Sequence, residues 1–220
     1  MPDYVALRHD PYSSHQIVLN LCRGAATILD VGCSAGVLAR DLVAEGAMVD
    51  GIEYDPVDAE EARSACRQVV VGDLETMSLD DLPACGYDVV LCADIIEHLR
   101  DPVAALARLR PLLKPDGRLI ISVPNIANWS MRLTHLAGRW DYQERGLMDR
   151  THLRFFTHRT IRRTVEDAGF QVERVDVSCP LPVLRREPFN RAAHAAALIF
   201  KNLLAYQFIV TAHLPNPQVR

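Results

Sequence analysis

The chain has 220 residues, 49% of them apolar, with 24 Lys and Arg set against 28 Asp and Glu for a formal net charge of -4. That is the balance of a globular chain with a full core, and it excludes binding to a polyanion through bulk charge. The six cysteines (Cys22, Cys33, Cys66, Cys85, Cys92 and Cys179) show neither CxxC pairs nor zinc spacing, so neither a disulfide framework nor a structural zinc is read.

In chain order, Ser14–Cys22 reads as an introductory helix. Short apolar runs then alternate with helical patterns. The strands expected are Thr27–Val31, Met48–Glu53, Gln68–Val71, Asp88–Ala93 and Arg118–Val123. The helices between them are expected at Ala35–Glu45, Val57–Arg67 and Pro102–Leu113. Asp101-Pro102 supplies an N-cap with proline at N1, and Pro115-Asp116-Gly117 supplies a turn. This rhythm is that of βαβ units and a mainly parallel sheet. Beyond Val123 the texture changes. Asn125–Gly138 is expected to be helical, and Arg139–Phe156 is polar, aromatic and irregular. Thr157–Ala168 is a helix with Thr157 as cap and Gly169 past its end. Gln171–Cys179 and Gln207–Leu214 are strands, and Asn190–Leu204 is an Ala-rich helix. One domain over 1–220 is expected: a cofactor core at 13–124, an insertion at 125–156 over the acceptor, and a closing part at 157–220. Ala192–Leu204, the most apolar late segment, is interrupted by His194 and Lys201 and is too short to span a bilayer. The opening residues MPDYVALRHD show no signal-peptide pattern, and the expected location is the cytoplasm.

In an open parallel sheet, ligands bind outside the carboxyl ends of the strands. The loop Gly32–Gly36 stands there, with glycines that let a ligand approach the backbone and a helix N-terminus that offers free N–H groups. Glu53 ends the second strand, where a carboxylate can accept both ribose hydroxyls. Asp30 lies in the first strand, Asp73 follows the third and Asp94 the fourth. A pyrophosphate would be repelled by that acidic rim. S-adenosylmethionine (SAM), with an ammonium and a sulfonium, matches it. The loop also reads G-x-x-x-G, with Ser34 where a dinucleotide motif has its second glycine.

The runs ILDVGCSAG, GIEYDP, VVVGDLE, YDVVLCADIIEHL and LKPDGRLIISVPN together resemble the class I SAM-dependent methyltransferases, and among them the ubiquinone-biosynthesis O-methyltransferases and methionine-biosynthesis W-like proteins. The resemblance covers 25–125 closely and 151–169 more loosely. It implies a Rossmann-like three-layer α/β sandwich, with a seven-stranded sheet of order 3-2-1-4-5-7-6 whose last strand is antiparallel. It implies that Asp30, the Gly32–Cys33 backbone and Gly36 hold the methionyl end. Glu53, with Tyr54 alongside, takes the ribose, Asp73 and Leu74 the adenine, and Asp94 lies near the methionyl end. In the ubiquinone-type members the stretch equivalent to Asp94–His98 reads ExxEH, a set that can hold a divalent metal. Here its first acid is one methylene shorter, and no metal is expected.

Methyl transfer from a sulfonium needs alignment and exclusion of water, and a hydroxyl acceptor also needs a base. His98 and His152 are the candidate bases. The alternatives are that His98 begins a helix and that His152 is a strut in a loop anchored by Phe155 and Phe156. Arginines dominate from Arg132 to Arg163. Trp129, Arg132, Arg150 and Arg154 are candidate contacts to a small acceptor (a carboxylate, phenol or sugar), and the arginines suggest an anionic one, a carboxylate or a phosphorylated or nucleotide-linked sugar. Neither nucleic acid nor a membrane span is expected. Monomer and homodimer stay open, as do N- or C-methylation and a SAM-binding regulatory protein without turnover. An NAD-dependent oxidoreductase would need a Tyr-Lys pair, which is not found as YxxxK.

Overall fold

The computed structural model describes residues 10–84, 86–179 and 189–215. Seven strands form one sheet: β1 Thr27–Val31, β2 Met48–Glu53, β3 Gln68–Val71, β4 Tyr87–Ala93, β5 Leu113–Pro124, β6 Gln171–Ser178 and β7 Gln207–His213. Their order is β3-β2-β1-β4-β5-β7-β6. Every pair through β5 is parallel, and β7 runs antiparallel to both β5 and β6. The helices are α1 Ser14–Cys22, α2 Val37–Ala44, α3 Pro56–Ala62, α4 Pro102–Leu109, α5 Trp129–Leu136, α6 His158–Asp167, α7 Phe189–Ile199 and α8 Lys201–Leu204. Two buried apolar clusters flank the sheet, as expected when helices cover both faces of a mainly parallel sheet. No helix among the described residues is long and apolar enough to cross a membrane. The described cysteines are unpaired, and Cys85 lies outside the described residues.

The expected elements appear with shifted ends, β4 and β5 longer and several helices shorter, and some of the shifts have a local cause. The helix expected over Pro102–Leu113 stops at Leu109 and passes into a 3-10 turn at Arg110–Leu112. Pro111 has no N–H with which to continue the ladder. The Pro115-Asp116-Gly117 turn does not precede a strand but interrupts one. Tyr87 pairs with Leu113 and Val89 with Arg118, so residues 114–117 bulge out of β5. The helix expected over Asn125–Gly138 begins only at Trp129. Asn125 first accepts the N–H of Ala127 in a turn, and Asn128 then caps the helix through the N–H of Ser130. The helix expected over Asn190–Leu204 is broken at Phe200.

Asp50, on β2, is fully buried and well served. It accepts from Arg67 Nε at 2.9 Å and Nη2 at 2.5 Å, from the Tyr87 hydroxyl at 2.6 Å, and from Gln68 Nε2 at 3.3 Å. Burial alone would raise its carboxyl, but these donors outweigh it and hold the group below the usual carboxylate range. Arg67→Met removes the counter-charge while most of the desolvation remains. With Arg67 itself half exposed, the expected loss is about 2–3 kcal/mol in chemical denaturation. An unchanged midpoint would show that Tyr87 and Gln68 suffice.

Candidate functional site

The carboxyl ends of β1, β2, β3 and β4 close on one edge, and the chain leaves β1 through the loop Gly32–Gly36. Gly32 has φ +73°, and a Cβ there would lie 2.8 Å from Ile95 Cδ1, so both conformation and space require glycine. The N–H groups of Gly32 and Cys33 donate to the Ile52 carbonyl at 2.8 and 3.1 Å. Ser34, also in the left-handed region at φ +46°, donates its N–H to Glu53 Oε2 at 2.7 Å and its hydroxyl to Asp58 at 2.9 Å. Glu53 Oε1 accepts the N–H groups of Tyr54 and Asp55 at 2.7 and 2.9 Å. A carboxylate offers about four lone-pair sites. Three are occupied here, which leaves one, on Oε2, without a donor and not the two that accepting both ribose hydroxyls requires. Tyr54 itself is exposed beside it.

Asp30 is 2% exposed, and its Oδ2 has no hydrogen-bond partner. Burial, and then the charge of Glu53, push its carboxyl up to about 7. A buried, partnerless carboxylate is costly unless a cation or donor meets it. Asp73 Oδ1 accepts the N–H of Glu75, and its carbonyl accepts those of Thr76 and Met77, so the loop after β3 is a closed turn. Sequence reasoning missed the residue that pins this loop. Arg108 of α4 donates to the carbonyls of Leu74 and Met77. An arginine on a helix's last turn carries no motif that would announce such a contact. Asp94 stands just past β4 at φ +53°, and its Oδ1 accepts from Ser122 Oγ at 3.0 Å and Gln207 Nε2 at 2.6 Å.

The turn after β4, Ile96–His98, carries the other half of the site. The Glu97 carbonyl accepts two successive N–H groups of the 125–156 insertion's distal end, Leu153 at 2.8 Å and Arg154 at 2.9 Å. His98 Nδ1 lies 3.2 Å from the Thr151 carbonyl, and the His98 and His152 ring centroids are 4.9 Å apart. The Glu97 side chain is 1% exposed, and neither carboxylate oxygen has a hydrogen-bond partner. Burial, with Asp94 adding to it, raises its carboxyl well above the usual range. One donor atom from each of Glu97, His98 and His152 falls within 4.8 Å of the others. Asp94 is not a member of this set. His152 is buried, and burial, followed by the neighbouring His98, lowers its basicity against the opposing pull of Asp149.

The candidate acceptor contacts are placed less uniformly. Trp129 is half exposed at the start of α5. Arg132 donates Nε to the Ala127 carbonyl at 2.8 Å. Arg150 pairs with Glu144. Arg154 donates Nε and Nη2 to the Arg100 carbonyl and so ties the insertion to the turn after β4. Four of the eight arginines from Arg132 to Arg163 pair with acids a few residues away, through Arg139–Asp141, Arg150–Glu144, Arg162–Glu166 and Arg163–Asp167.

Comparison with known proteins bears on the same region. Residues 8–175 match a family model described as a methyltransferase domain. A ubiquinone biosynthesis O-methyltransferase of Xanthomonas euvesicatoria pv. vesicatoria is 30% identical over 203 residues, covering 90% of this chain and 82% of the relative. Among solved structures, a SAM-dependent methyltransferase of Thermotoga maritima superposes with TM-score 0.69 at 19% identity, covering 96% of this chain and 93% of the other. The magnesium protoporphyrin IX methyltransferase of Synechocystis, solved with bound S-adenosylhomocysteine, gives TM-score 0.64 at 19% identity, covering 98% and 89%.

The burial of Asp30 has a testable sign. Its carboxyl titrates higher in the folded chain than in the unfolded one, so its contribution is most favourable below about pH 4 and declines as pH rises towards about 7. Asp30→Asn is therefore expected to raise the melting temperature of the unliganded protein, with a gain that grows between those limits and then levels off, reaching a few kcal/mol. A gain independent of pH would refute this account.

Proposed function

The chain belongs to the methyltransferase-domain family and is a SAM-dependent methyltransferase, and from that premise we propose that it methylates a hydroxyl oxygen of a small molecule. The observation that carries this reading is the placement of His98 and His152, two imidazoles 4.9 Å apart, on the turn that follows Asp94 and on the segment docked against it. The O-methyltransferase name of the Xanthomonas relative agrees with it.

In this reading SAM lies along the carboxyl edge of the sheet. Asp30 and Asp94 attract its ammonium and sulfonium, and the Gly32–Cys33 backbone and Gly36 allow the methionyl end to approach closely. Glu53, flanked by Tyr54, receives the ribose on its remaining lone pair. Asp73 and Leu74, steadied by Arg108, take the adenine. The acceptor enters between the turn after β4 and the 125–156 insertion, which covers it as a lid and excludes water. Its hydroxyl proton is lost at the His98–His152 pair, where a neutral imidazole has a lone pair to receive it. Trp129 walls the entrance, with Arg132 and Arg150 at its rim, and Arg154 positions the lid. Half of the arginines between Arg132 and Arg163 are paired locally, which reduces the positive field left for an acceptor and favours a phenol or sugar hydroxyl.

Formation of S-adenosylhomocysteine from SAM with a panel of phenols, sugars and carboxylic acids tests the reaction. Tight SAM binding with no turnover on any of them would favour a regulatory protein. Glu53→Ala is expected to weaken SAM binding by roughly 1.5–3 kcal/mol, the worth of charge-assisted hydrogen bonds, and unchanged affinity by calorimetry would remove Glu53 from the ribose. His152→Ala is expected to lower turnover by about 10²–10⁴-fold while sparing SAM affinity. Wild-type turnover in that variant would reduce His152 to a strut.

A further inference from the structure

Two thiols that methyl transfer does not use lie together beneath the Gly32–Gly36 loop. Cys33 is the second residue of that loop, and Cys66 stands between α3 and β3. Gly51 of β2 makes room for both. A Cβ there would lie 2.6 Å from Cys33 Sγ and 3.4 Å from Cys66 Sγ. Both cysteines are buried. The Cys33 thiol donates to the Cys66 sulfur, and this bond, ahead of burial, keeps the proton on Cys33. The same bond holds Cys66 below the usual thiol range, against burial and with help from the charge of Arg40. In Cys22, Cys92 and Cys179 burial pushes the thiol up instead. A thiol with thiolate character beside a second thiol is the arrangement that oxidises to a disulfide.

The surroundings leave little slack between the two. The Cys33 carbonyl accepts the N–H of Gly36 at 2.9 Å, and Ser34, the next residue, donates its N–H to Glu53 Oε2 at 2.7 Å. The Cys66 N–H donates to the Ala62 carbonyl at 2.9 Å, and a Cβ on Gly36 would stand 3.0 Å from Ala62 Cα. A disulfide draws two sulfurs closer than a hydrogen bond does. That contraction is passed to the loop backbone and, through Ser34, to Glu53.

We propose that Cys33 and Cys66 form a reversible dithiol switch, which hydrogen peroxide closes to a disulfide and which, when closed, weakens binding of the methyl donor. The Cys66 thiolate attacks one peroxide oxygen, the O–O bond breaks, and the departing hydroxide takes a proton and leaves as water. Cys66 is then a sulfenic acid. The Cys33 sulfur attacks the Cys66 sulfur, and the displaced hydroxyl leaves with the Cys33 proton as a second water. The sulfurs lose two electrons between them, and the peroxide gains two. A dithiol reductant reverses the change by exchange. Control of binding rests on reading Gly32–Gly36 as the methionyl end of the donor site. The coupling is reciprocal, so bound donor opposes the disulfide by the same factor.

Purified protein is oxidised with hydrogen peroxide or reduced with dithiothreitol. Free thiols are alkylated, the linkage is mapped by peptide mass spectrometry, and S-adenosylhomocysteine is titrated by calorimetry. Expected are a linked Cys33–Cys66 peptide, affinity about tenfold or more weaker in the oxidised form, and recovery with dithiothreitol. In mixtures of reduced and oxidised dithiothreitol, saturating S-adenosylhomocysteine is expected to shift the pair towards the dithiol. Cys66→Ala is expected to bind like reduced wild type and to keep that affinity after peroxide, with Cys66→Ser in its place should it misfold. Cys33 and Cys66 still open to alkylation after peroxide would overturn the pair. A linked peptide with unchanged affinity would overturn the switch, as would an equal loss of affinity in the Cys66 variants. Reduced protein that forms the linked peptide but never binds S-adenosylhomocysteine would overturn the donor reading of the loop and leave the disulfide standing.

Discussion

Parallel pairing of β1 with β2 on one side and β4 on the other determines where each acid of the crevice stands. Asp30 lies opposite Gly51 of β2 and Leu91 of β4, with the sheet closed around it. The same register delivers Glu53 and Asp94 to the edge where the chain leaves β1, and the Gly32 and Cys33 N–H groups extend the ladder onto Ile52 past the end of the strand. Carboxylates gathered on one edge repel one another. The fold offsets this unevenly, with three backbone donors on Glu53, two side-chain donors on Asp94 and none on Asp30 Oδ2. In the proposed reading a cationic methyl donor would relieve the deficit at Asp30, so the residue that costs the unliganded fold stability would favour its ligand.

The second organising contact is the single carbonyl of Glu97, which takes two consecutive N–H groups from the lid. Arg154 reinforces it through the Arg100 carbonyl, and Phe155 packs with Ile126 against Met131, Leu147 and Met148, a small core separate from the two that flank the sheet. The candidate acceptor contacts of the proposed reading thus belong to a segment with its own packing, held to the turn after β4 by these bonds.

Much of this was legible in the sequence because the relevant forces are local. The short apolar strand runs, the Asp101-Pro102 and Thr157 caps and the glycine loop are written in neighbouring residues, and all of them appear. What was not legible depends on partners distant in the chain. Arg108 reaches carbonyls at Leu74 and Met77, and Arg154 reaches Arg100, and no spacing rule foretells either. The arginine-rich run is a different kind of miss. Its acidic partners at Asp141, Glu144, Glu166 and Asp167 stand a few residues away, so summing the positive charges alone overstated the field they leave for a ligand. His152 was readable as a candidate, but its approach to His98 and Glu97 depends on how the insertion folds back.

The hydrogen bond from Gln207 to Asp94 joins the last strand to the first half of the chain. The Gly32–Gly36 loop, Glu53 and the turn after β3 are all made by residue 77, yet Asp94 accepts from a side chain 113 positions further along the chain than itself. During synthesis, a nascent chain can assemble the parallel half of its sheet and still lack a finished centre until β7 slides between β5 and β6. A chain ending before β7 would lack the Gln207 donor and would also leave β5 without its antiparallel neighbour.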